Sequence, residues 1–538
     1  MFNREEFLDL IFYQVYPRSF CDSNGDGIGD LQGLRSKLDY LQELGVNAIW
    51  LCPCYKSPNF DNGYDISDYR DIAEDFGTFE DWKMLISDMH NRGMKLIMDL
   101  VVNHTSSEHV WFKEARKSRD NPYHDYYIWA DKPLTDWTAV FGGSAWEYNE
   151  QTNEYYLHSF AIQQPDLNWE NPKVRQEACD IVDFWVNLGV DGFRCDVLDF
   201  ISKDFEKGLM LNGPKLHEYI NQLFGRDNVK GIFTIGECQS DQKSIYDICG
   251  ADRGELTTVF QFDHIHLGRK DKYTPSDINY DQLRDILVNW QEFSAKNGLS
   301  YVLFTDNHDQ PFYLSRMAND GDLRYECATC LAALFYTLKG IPFIYQGQEF
   351  GCANSRFEDI NDFNDIETVN YYNERVNKTP KLRLINEINY GSRDNTRRPL
   401  AWTNNPLNAF GFTTCTPWLK HPTRAQEINL ENDLKSDKSV FKFYKRLLWL
   451  RSEEKTLRRG SFCDLTNGQK DCFIFKRALN GNEFIIICNF KEQKQLQLPL
   501  ELKNGDYQLI VANYNDAKSL NVNLRPFEIA IYKKTSNA

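Results

Sequence analysis

The chain has 538 residues, of which 42% are hydrophobic, and it carries a net charge of −17. One domain rarely grows to this length, so we expect a main domain with insertions or an appended domain. The negative charge argues against a nucleic-acid partner and against anionic membrane surfaces. No apolar stretch approaches the ~20 residues of a membrane-spanning helix, and the charged start does not fit a secretory signal. We expect a soluble, monomeric, cytoplasmic enzyme with a neutral substrate.

The chain has 14 cysteines, which we interpret as the reduced thiols of a cytoplasmic protein. Cys52-Pro-Cys54 is compatible with a metal or redox pair, but no second pair follows at the spacing of a zinc finger. We therefore predict a structural role for these two cysteines.

The first hundred residues alternate between strand and helix patterns. Apolar runs predict strands at 11–15, 46–51 and 95–102, and helical spacing predicts helices at 31–44 and 79–91. This is the strand–helix–strand order of a parallel sheet. Residues 103–171 then break the pattern, because they are rich in Trp, Tyr, Asp and Gly and show no long helical period. We predict that they form a lobe inserted after the third strand.

The alternation resumes at Pro172, which is a favoured first residue of a helix. Further strands are predicted at 192–196, 233–236, 258–262, 301–305 and 342–345. Together with the first three they make eight, the number that closes a barrel of parallel strands. We therefore predict an α/β fold, a (β/α)8 TIM barrel formed by residues 1–102 and 172–455.

Two further segments complete the predicted organisation. Residues 352–430 are polar but contain several aromatic residues, which indicates a long excursion after the eighth strand and not a linker. Short alternating strands follow residue 456, with turns at Asn480-Gly481 and Asn504-Gly505. They predict a C-terminal antiparallel β-sandwich domain at 456–538.

Charged residues stand where four of the predicted parallel strands end, in segments 99–104, 192–196, 235–237 and 307–309. Side chains at these ends of barrel strands share one mouth. Asp196 and Glu237 end neighbouring strands, which lie about 4.7–4.9 Å apart. That spacing fits the separation of the two carboxyl groups in a retaining glycosidase, which is about 5–5.5 Å. We expect Arg194 to keep Asp196 ionised and apolar neighbours to keep Glu237 protonated.

In this order, the four segments resemble the conserved regions of the α-amylase superfamily of glycoside hydrolases. Gln164-Pro-Asp-Leu-Asn168 is similar to the extra motif of that superfamily in the inserted lobe. Asn62-Gly-Tyr-Asp-Ile66 and Asp394-Asn-Thr-Arg397 resemble its α-glucosidase branch, which includes oligo-1,6-glucosidases and dextran glucosidases. The resemblance runs from about Tyr13 into the C-terminal domain.

The resemblance implies that Asp196 is the nucleophile that forms a covalent glucosyl-enzyme, Glu237 the general acid and base, and Asp309 the stabiliser of the transition state. It also implies residues that line the subsite of the cleaved glucose: Tyr64, His104, Phe141, Gln164, Arg194 and His308. In the resembling enzymes, the positions matched by Asp65 and Arg397 close this subsite against the non-reducing end. A closed pocket binds only a chain end, which predicts exo-action on short oligosaccharides.

Val197 predicts the linkage. In the resembling family, Val directly after the nucleophile accompanies α-1,6 bonds, and Thr or Ala accompanies α-1,4 bonds. We therefore expect hydrolysis of isomaltose and isomalto-oligosaccharides. The chain departs from the family pattern on the leaving-group side, at Arg397-Arg-Pro-Leu-Ala-Trp402, at Phe312 and at Cys238-Gln-Ser240.

Several alternatives within the enzyme class stay open: an α-1,4-glucosidase, a trehalose-6-phosphate hydrolase and a sucrose isomerase. The isomerase is disfavoured because the Arg-Leu-Asp-Arg-Asp run of such enzymes is missing, and 264–270 stands there instead. The basic pair Arg269-Lys270 is interpreted as a solvated turn, although it leaves a phosphorylated substrate open.

Two alternatives belong to other classes. A metalloenzyme could be built on the histidines and aspartates at the strand ends, but Arg194 beside them would repel a cation. A non-catalytic sugar-binding member of the same fold would be expected to lack one of the three carboxylates, and all three are present.

The loop after the first strand has the oxygen spacing of a calcium site. Its candidate ligands at positions 1, 3, 5, 7 and 9 are Asp22, Asn24, Asp26, the carbonyl of Ile28, and Asp30. Gly stands at position 6, but position 12 is Gly33, so this is not a complete EF-hand. The resembling α-glucosidases bind Ca²⁺ in the matching loop, and we expect a structural ion here and no catalytic cofactor.

Overall fold

The computed structural model describes residues 4–251, 254–503, 506–514, 516 and 523–535. Eight parallel strands form its central sheet, in the order sixth, fifth, fourth, third, second, first, eighth, seventh. The strands are Phe12–Val15, Ala48–Leu51, Lys95–Leu100, Gly192–Cys195, Phe233–Gly236, Thr258–Val259, Val302–Leu303 and Ile341–Tyr345. The prediction of a (β/α)8 barrel is confirmed, because each strand is followed by a helix and the order is that of a rolled sheet.

The sixth and seventh strands are shorter than predicted. No ladder joins them within the described ranges, so each has one paired neighbour and the extended conformation ends early. Side chains bridge this seam instead. The hydroxyl of Thr258 donates to the carbonyl of Ser300 at 2.8 Å, and Nε2 of His264 lies 2.8 Å from the carbonyl of Phe304.

Helices cover the outside of the barrel. They are Leu31–Ser36 with Leu38–Leu44, Phe79–Asn91, Pro172–Asn187, Leu216–Phe224, Gln242–Cys249, Tyr280–Asn297, Arg324–Tyr336 and Val440–Glu453. The predicted single helix 31–44 is divided, because the N–H of Lys37 bonds to the carbonyl of Leu34, three residues back. Gly45 ends the second half in the left-handed conformation, at φ 100°.

Between the third strand and Pro172, the chain forms a helix, Val110–Ala115, and a small antiparallel sheet of Trp129–Ala130, Trp146–Asn149 and Glu154–Leu157. After the eighth strand, the predicted excursion contains the helices Ile366–Arg375, Lys381–Gly391 and Asp394–Arg397. Both segments lie at the carboxyl ends of the barrel strands, and both contribute walls to the cavity described below.

The last part of the chain forms an antiparallel sheet. Its strands in spatial order are Ser461–Asp464, Cys472–Leu479, Asn482–Asn489, Ile529–Lys534 and Tyr507–Ala512. The predicted turn at Asn480-Gly481 joins two of them, with both residues at positive φ, whereas the predicted turn at Asn504-Gly505 lies outside the described residues. A two-stranded ribbon, Lys494–Gln495 with Asn523–Leu524, accompanies the sheet.

One apolar cluster runs through the barrel and onto one face of the C-terminal sheet. Shorter α-helices lie at Arg4–Phe7, Tyr313–Met317, Leu430–Lys435, Lys455–Arg459 and Leu500–Lys503, and a two-stranded antiparallel sheet joins Tyr55–Lys56 with Asp68–Ile72. No helix among the described residues is both long and apolar enough to span a membrane.

Candidate active site

A cavity of about 670 Å³ opens where the barrel strands end. Most of the residues that the sequence assigned to sugar binding and catalysis line this cavity: Tyr64, His104, Phe141, Gln164, Asp196, Val197, Glu237, His308 and Asp309. They come from the loops after five different strands and from the inserted segment. The closed order of the strands brings these distant segments together.

Arg194 joins the two central carboxyl groups. Its Nη1 lies 2.7 Å from Oδ1 of Asp196, and its Nη2 lies 2.6 Å from Oε2 of Glu237. The fourth and fifth strands are directly paired, with Arg194 opposite Ile235. The two carboxyl groups therefore face each other across a single guanidinium, an arrangement compatible with the close carboxyl spacing of retaining glycosidases.

Asp99 holds the Arg194 guanidinium in position. Its Oδ1 lies 2.7 Å from Nη1 of Arg194, and its Oδ2 accepts hydrogen bonds from the Trp50 indole and the Tyr64 hydroxyl. Asp99 is fully buried at the end of the third strand. Because its oxygens are occupied by these donors, Asp99 fixes the position of Arg194 and does not reach the cavity.

Burial raises the pKa of Asp196 well above its ordinary value, although the Arg194 guanidinium opposes this effect. Burial also raises the pKa of Glu237, again against Arg194, while the charge of Asp309 adds to the increase. The sequence had suggested that Arg194 keeps Asp196 ionised. Because burial outweighs the effect of Arg194 on this pKa, Arg194 alone does not do so. Instead, three buried carboxyl groups, those of Asp99, Asp196 and Glu237, share one cation, which favours a state in which the Asp196–Glu237 pair retains a proton.

The surroundings of Glu237 differ from the expected apolar neighbours. Besides Arg194, its Oε2 accepts the backbone N–H of Val197 at 3.2 Å. Val197 adopts φ 35° and ψ 49°, a left-handed conformation that is rare for a β-branched residue. The backbone directly after Asp196 thus turns sharply and points its N–H at the partner carboxyl group.

Asp309 sits among positive and hydrogen-donating groups. Its Oδ1 lies 2.8 Å from Nη2 of Arg397 and 3.2 Å from Nη1 of Arg393, and its Oδ2 lies 3.0 Å from Nε2 of His308. Burial raises the pKa of Asp309, but His308 and the two arginines outweigh burial and hold this pKa well below its ordinary value. Asp309 is therefore the permanently charged carboxylate of the site.

Gln14 orients His308. The amide nitrogen of Gln14 lies 2.7 Å from Nδ1 of His308, so that Nδ1 accepts and Nε2 carries the hydrogen. Burial lowers the pKa of His308, which favours the neutral ring. The ring also stacks on Tyr64, with centroids 5.0 Å apart and planes 5° from parallel.

The pocket is closed by Asp61 and Arg393, which corrects the prediction of Asp65 and Arg397. Oδ1 of Asp61 lies 3.0 Å from Nη2 of Arg393, and both residues line the cavity. Asp65 has no exposed surface and accepts the backbone N–H groups of Phe60 and Asp61. Asp65 therefore shapes the turn that presents Asp61 and does not face the substrate.

Arg397 likewise works from behind the pocket. It is fully buried, and its Nε donates to the carbonyl of His308 at 2.7 Å while its Nη2 contacts Asp309. Arg397 therefore positions the His308-Asp309 segment. In both cases the residue that faces the pocket stands directly before the predicted motif, since Asp61 and Arg393 each stand four residues before the expected residue.

Sequence reasoning also missed two supports of Arg393. Asp365 accepts from its Nε and Nη2 at 2.9 and 2.6 Å, and the guanidinium lies 4.6 Å from the ring centroid of Phe141. Asp365 caps the helix Ile366–Arg375, so a residue that resembles an ordinary helix N-cap also holds the pocket arginine. The sequence could have revealed this role only through evidence that Asp365 pairs with Arg393 within the excursion.

Gln164 and His104 complete the wall formed by the inserted segment. The Gln164 amide donates to Oδ2 of Asp61 at 3.1 Å and lies 3.2 Å from Nε2 of His104. Burial lowers the pKa of His104 to about 4, so the imidazole is neutral near pH 7. These neutral polar groups suit hydrogen bonding to sugar hydroxyls.

The hairpin after the sixth strand forms the opposite wall, so the Arg269-Lys270 turn borders the cavity, although Lys270 is exposed as expected of a solvated turn. The strands Arg269–Asp271 and Thr274–Pro275 pair there. Arg269, Lys270 and Lys272 all line the cavity. The sequence could not show this, because a short basic turn has the same composition whether it faces solvent or a pocket.

The predicted calcium loop is held by its own hydrogen bonds. Asp22 accepts from the N–H groups of Asn24, Gly25 and Gly27, and from the hydroxyl of Thr413. The amide of Asn24 donates to Asp26 at 3.1 Å. Within the described part of the chain, no three His, Cys, Asp or Glu side chains come together as a metal site. An all-oxygen donor set nevertheless suits Ca²⁺, and Asn24 and Asp26 of this set are exposed.

Comparison with known proteins agrees with this geometry. The model of the family "Alpha amylase, catalytic domain" matches residues 14–460. An oligo-1,6-glucosidase of Parageobacillus thermoglucosidasius is 44% identical over 98% of both chains. A glucan 1,6-alpha-glucosidase of Streptococcus pneumoniae is 42% identical over 90% of this chain and 92% of its own.

Solved structures are also similar over the full length. A trehalose-6-phosphate hydrolase of Bacillus licheniformis superposes with a TM-score of 0.92 at 36% identity, over 98% of this chain and all of the other. An isomaltulose synthase of Erwinia rhapontici gives a TM-score of 0.91 at 36% identity, over 98% and 99%. The chain belongs to the α-amylase family of glycoside hydrolases.

Proposed function

We propose that the protein is a retaining exo-α-glucosidase that releases terminal glucose from short α-glucosides, with a preference for α-1,6 bonds. One observation carries this proposal. Asp196 and Glu237 both contact Arg194 and line a pocket, and the ion pair of Asp61 with Arg393 closes one end of that pocket. A pocket closed in this way admits one terminal sugar and holds its anomeric carbon at the two carboxyl groups.

Asp196 and Glu237 divide the reaction between them. Asp196 attacks the anomeric carbon, the bond to the leaving oxygen breaks, and Glu237 gives that oxygen its proton. In the second step, water attacks the same carbon, Glu237 takes a proton from it, and the bond to Asp196 breaks. Because the anomeric centre is inverted twice, the product keeps the configuration of the substrate.

Asp309 acts through charge. It stays ionised next to His308, Arg393 and Arg397, so it offers a fixed negative charge and hydrogen-bond acceptors to the flattened, positively charged ring of the transition state. No metal or organic cofactor is needed in either step.

The α-1,6 preference rests on two observations. Val197 lines the cavity directly after the nucleophile, and the relatives named above are called oligo-1,6-glucosidase and glucan 1,6-alpha-glucosidase. The direct test compares initial rates on isomaltose, maltose, sucrose, trehalose and trehalose 6-phosphate. Isomaltose should be hydrolysed fastest among the unphosphorylated sugars, and NMR of the first product should show α-glucose. A faster rate on maltose, or release of β-glucose, would contradict the proposal.

We also propose that the loop formed by Asp22, Asn24, Asp26, Ile28 and Asp30 binds a structural Ca²⁺. Its oxygen donors and their spacing support this proposal, and the ion would tie the loop to Thr413 of the excursion through Asp22. The loop contributes no residue to the cavity, so the ion is expected to affect stability and not chemistry.

Finally, we propose that the protein works as a cytoplasmic monomer on small oligosaccharides, without nucleic-acid or membrane partners. All 14 cysteines are free, and twelve are buried, as in proteins of reducing compartments. Light scattering of the purified protein tests the monomer. Cell fractionation tests the location.

A further inference from the structure

Two basic side chains, Arg269 and Lys270, line the wall of the cavity next to Glu237. Arg269 donates from Nη1 to the side-chain oxygen of Gln310 at 2.9 Å, and its Nη2 lies 3.1 Å from Nδ1 of His266. No Asp or Glu of the described residues lies within ion-pair distance of Arg269 or Lys270. Lys272 is the exception on this hairpin, because it pairs with Glu367 at 2.5 Å.

A second guanidinium stands behind Arg269. Arg316 is buried, and it donates to the backbone carbonyls of Ile265 and Pro311. Burial and the charge of Arg316 lower the pKa of Arg269 to about 10, a value that still leaves Arg269 charged at neutral pH. Unpaired cations that are partly removed from water are costly, and an anionic ligand relieves that cost.

The acidic residues on the same wall are bound elsewhere. Asp263 accepts the indole N–H of Trp290 at 2.7 Å, and Asp271 accepts the backbone N–H groups of Tyr273 and Thr274. Glu367 is neutralised by Lys272. The carboxylates on this wall are thus engaged by other groups, and none of them forms an ion pair with Arg269 or Lys270 in the described part of the chain.

The base of the hairpin is fixed. The carbonyl of Gly268 accepts the hydroxyl of Tyr390 at 2.7 Å and the N–H of Ser276 at 2.9 Å. Gly268 adopts φ 73°, and a Cβ there would lie only 3.0 Å from Sδ of Met317. Arg269 and Lys270 are thus presented by a rigid turn and not by a loose loop.

The strand order identifies what faces this hairpin. The fifth strand, which ends at Glu237, lies between the fourth strand, which ends before Asp196, and the sixth strand, which leads to the hairpin. The hairpin therefore lies on the side of Glu237 away from Asp196. Glu237 protonates the leaving oxygen, so the sugar beyond the cleaved bond faces Arg269 and Lys270.

We propose that Arg269 and Lys270 form an anion subsite for a phosphate group carried by the leaving sugar. The forked guanidinium of Arg269 supplies two parallel donors, and Lys270 supplies a mobile point charge for the second negative charge of the phosphate. This inference rests on the proposed function, and it makes phosphorylated α-glucosides the preferred substrates over neutral ones of the same linkage.

Product inhibition tests the subsite independently of linkage. The released sugar phosphate should compete with p-nitrophenyl α-glucoside, so we compare the inhibition constants of glucose, glucose 6-phosphate, glucuronate, and glucose with inorganic phosphate. Glucose 6-phosphate should bind at least about 10-fold more tightly than glucose at low ionic strength, and the advantage should shrink as salt is added. Equal binding of glucose and glucose 6-phosphate would overturn the subsite.

Two other outcomes would also overturn the proposal. If glucuronate binds as tightly as glucose 6-phosphate, the site does not recognise phosphate. If inorganic phosphate with glucose inhibits as strongly as glucose 6-phosphate, the phosphate is not read as part of the leaving sugar. A protein that fails to hydrolyse p-nitrophenyl α-glucoside would instead contradict the proposed function.

Variants of Arg269 and Lys270 test whether these two residues form the phosphate subsite. Lys270→Ala and Arg269→Gln should each remove most of the preference for glucose 6-phosphate over glucose. Lys296→Ala removes the same charge from the exposed side of an outer helix and should leave the preference unchanged. Folding is checked by the melting temperature of each variant. Retention of the full preference in the folded Lys270→Ala, Arg269→Gln double variant would assign the preference to other residues.

Discussion

The guanidinium of Arg393 lies 3.0 Å from the carboxylate of Asp61, and the two residues come from opposite ends of the barrel sequence. Asp61 follows the second strand, and Arg393 belongs to the excursion after the eighth strand. Both side chains are about 5% exposed. Because both groups are held in this buried ion pair, the pair closes one end of the pocket and limits the depth of the pocket.

Asp61→Asn should therefore reduce sugar binding. It leaves the buried Arg393 with less charge compensation, a change that costs about 2 kcal/mol or more and lowers kcat/KM roughly 30-fold or more. Asp65→Asn should mainly lower the melting temperature, because Asp65 holds the turn of residues 57–61 from behind. Steady-state kinetics and thermal unfolding of both variants separate the two roles. Large loss of activity in a fully stable Asp65→Asn protein would restore Asp65 as a direct contact.

Asp196→Asn should abolish turnover, by about 10⁴-fold or more, since the amide is not a nucleophile. The variant should fold, because the amide oxygen still accepts from Arg194. Turnover is measured on isomaltose and on p-nitrophenyl α-glucoside. Activity of Asp196→Asn above about 1% of that of the unmodified protein would assign the nucleophile to another residue.

Glu237→Gln should show a different pattern, because it removes the proton donor. The loss should be large for isomaltose, whose leaving alkoxide needs a proton, and much smaller for the first step with a dinitrophenyl glucoside, whose leaving group does not. Burst kinetics measures that step. Equal losses with both leaving groups would contradict the role of Glu237 as general acid.

Val197→Ala should shift the linkage preference towards α-1,4 bonds. Removing two methyl groups from the pocket wall changes discrimination by about 1–3 kcal/mol, so the rate ratio of maltose to isomaltose should rise about 10-fold or more. Val140→Ala is the matched control, since Val140 also lines the cavity but lies on the inserted segment. An unchanged rate ratio in Val197→Ala would show that Val197 does not determine the linkage preference.

Much of this site could be predicted because it depends on local patterns. Asp196 and Glu237 directly follow predicted strands, Asp309 stands a few residues after one, and the end of a parallel strand is a position that the chain itself encodes. The pairing of Asp61 with Arg393 could not be derived, because it depends on how a turn and a long excursion meet. In each case the predicted residue and the residue that faces the pocket stand four apart in the sequence, and only packing decides which one faces the pocket.

The basic hairpin shows the same limit. Arg269 and Lys270 have the composition of a surface turn, and the sequence contains no sign that the turn folds over a cavity. The split of helix 31–44 at Lys37 and the short sixth and seventh strands were also unpredictable, since they depend on the backbone hydrogen bonds available at each position. Apolar periodicity specifies that an element exists, whereas its ends depend on its neighbours.

Calcium should stabilise the protein without changing its chemistry. Binding at 100 times the dissociation constant contributes about 2.7 kcal/mol, so for a chain of this length a chelator should lower the melting temperature by about 2 °C or more. Turnover measured well below that temperature should change less than twofold. Asp26→Ala, which removes an exposed side chain of the proposed calcium site, should melt at the same temperature with chelator and with calcium. Unchanged melting of the unmodified protein after chelation would exclude the site.

Glu349 should make stability depend on pH. Its Oε1 accepts the hydroxyls of Tyr13 and Tyr40 at 2.7 and 2.5 Å, its Oε2 has no hydrogen-bond partner among the described residues, and its side chain is fully buried. Burial raises the pKa of Glu349 to about 7, against a value of 4.5 in water. The protonated form is therefore the one that the fold prefers.

The direction of the pH effect follows from this shift. Stability from the raised pKa is fully present below pH 4.5 and is lost as the pH rises through about 7, because the unfolded state then gains more from ionising Glu349. The full effect is about 3 kcal/mol. Glu349→Gln removes the charge but keeps an acceptor for both tyrosines. Its melting temperature, relative to that of the unmodified protein, should therefore be higher at pH 8 than at pH 5. The exposed control Glu292→Gln should show the same difference at both pH values, and a pH-independent difference for Glu349→Gln would mean that Glu349 is already ionised in the fold.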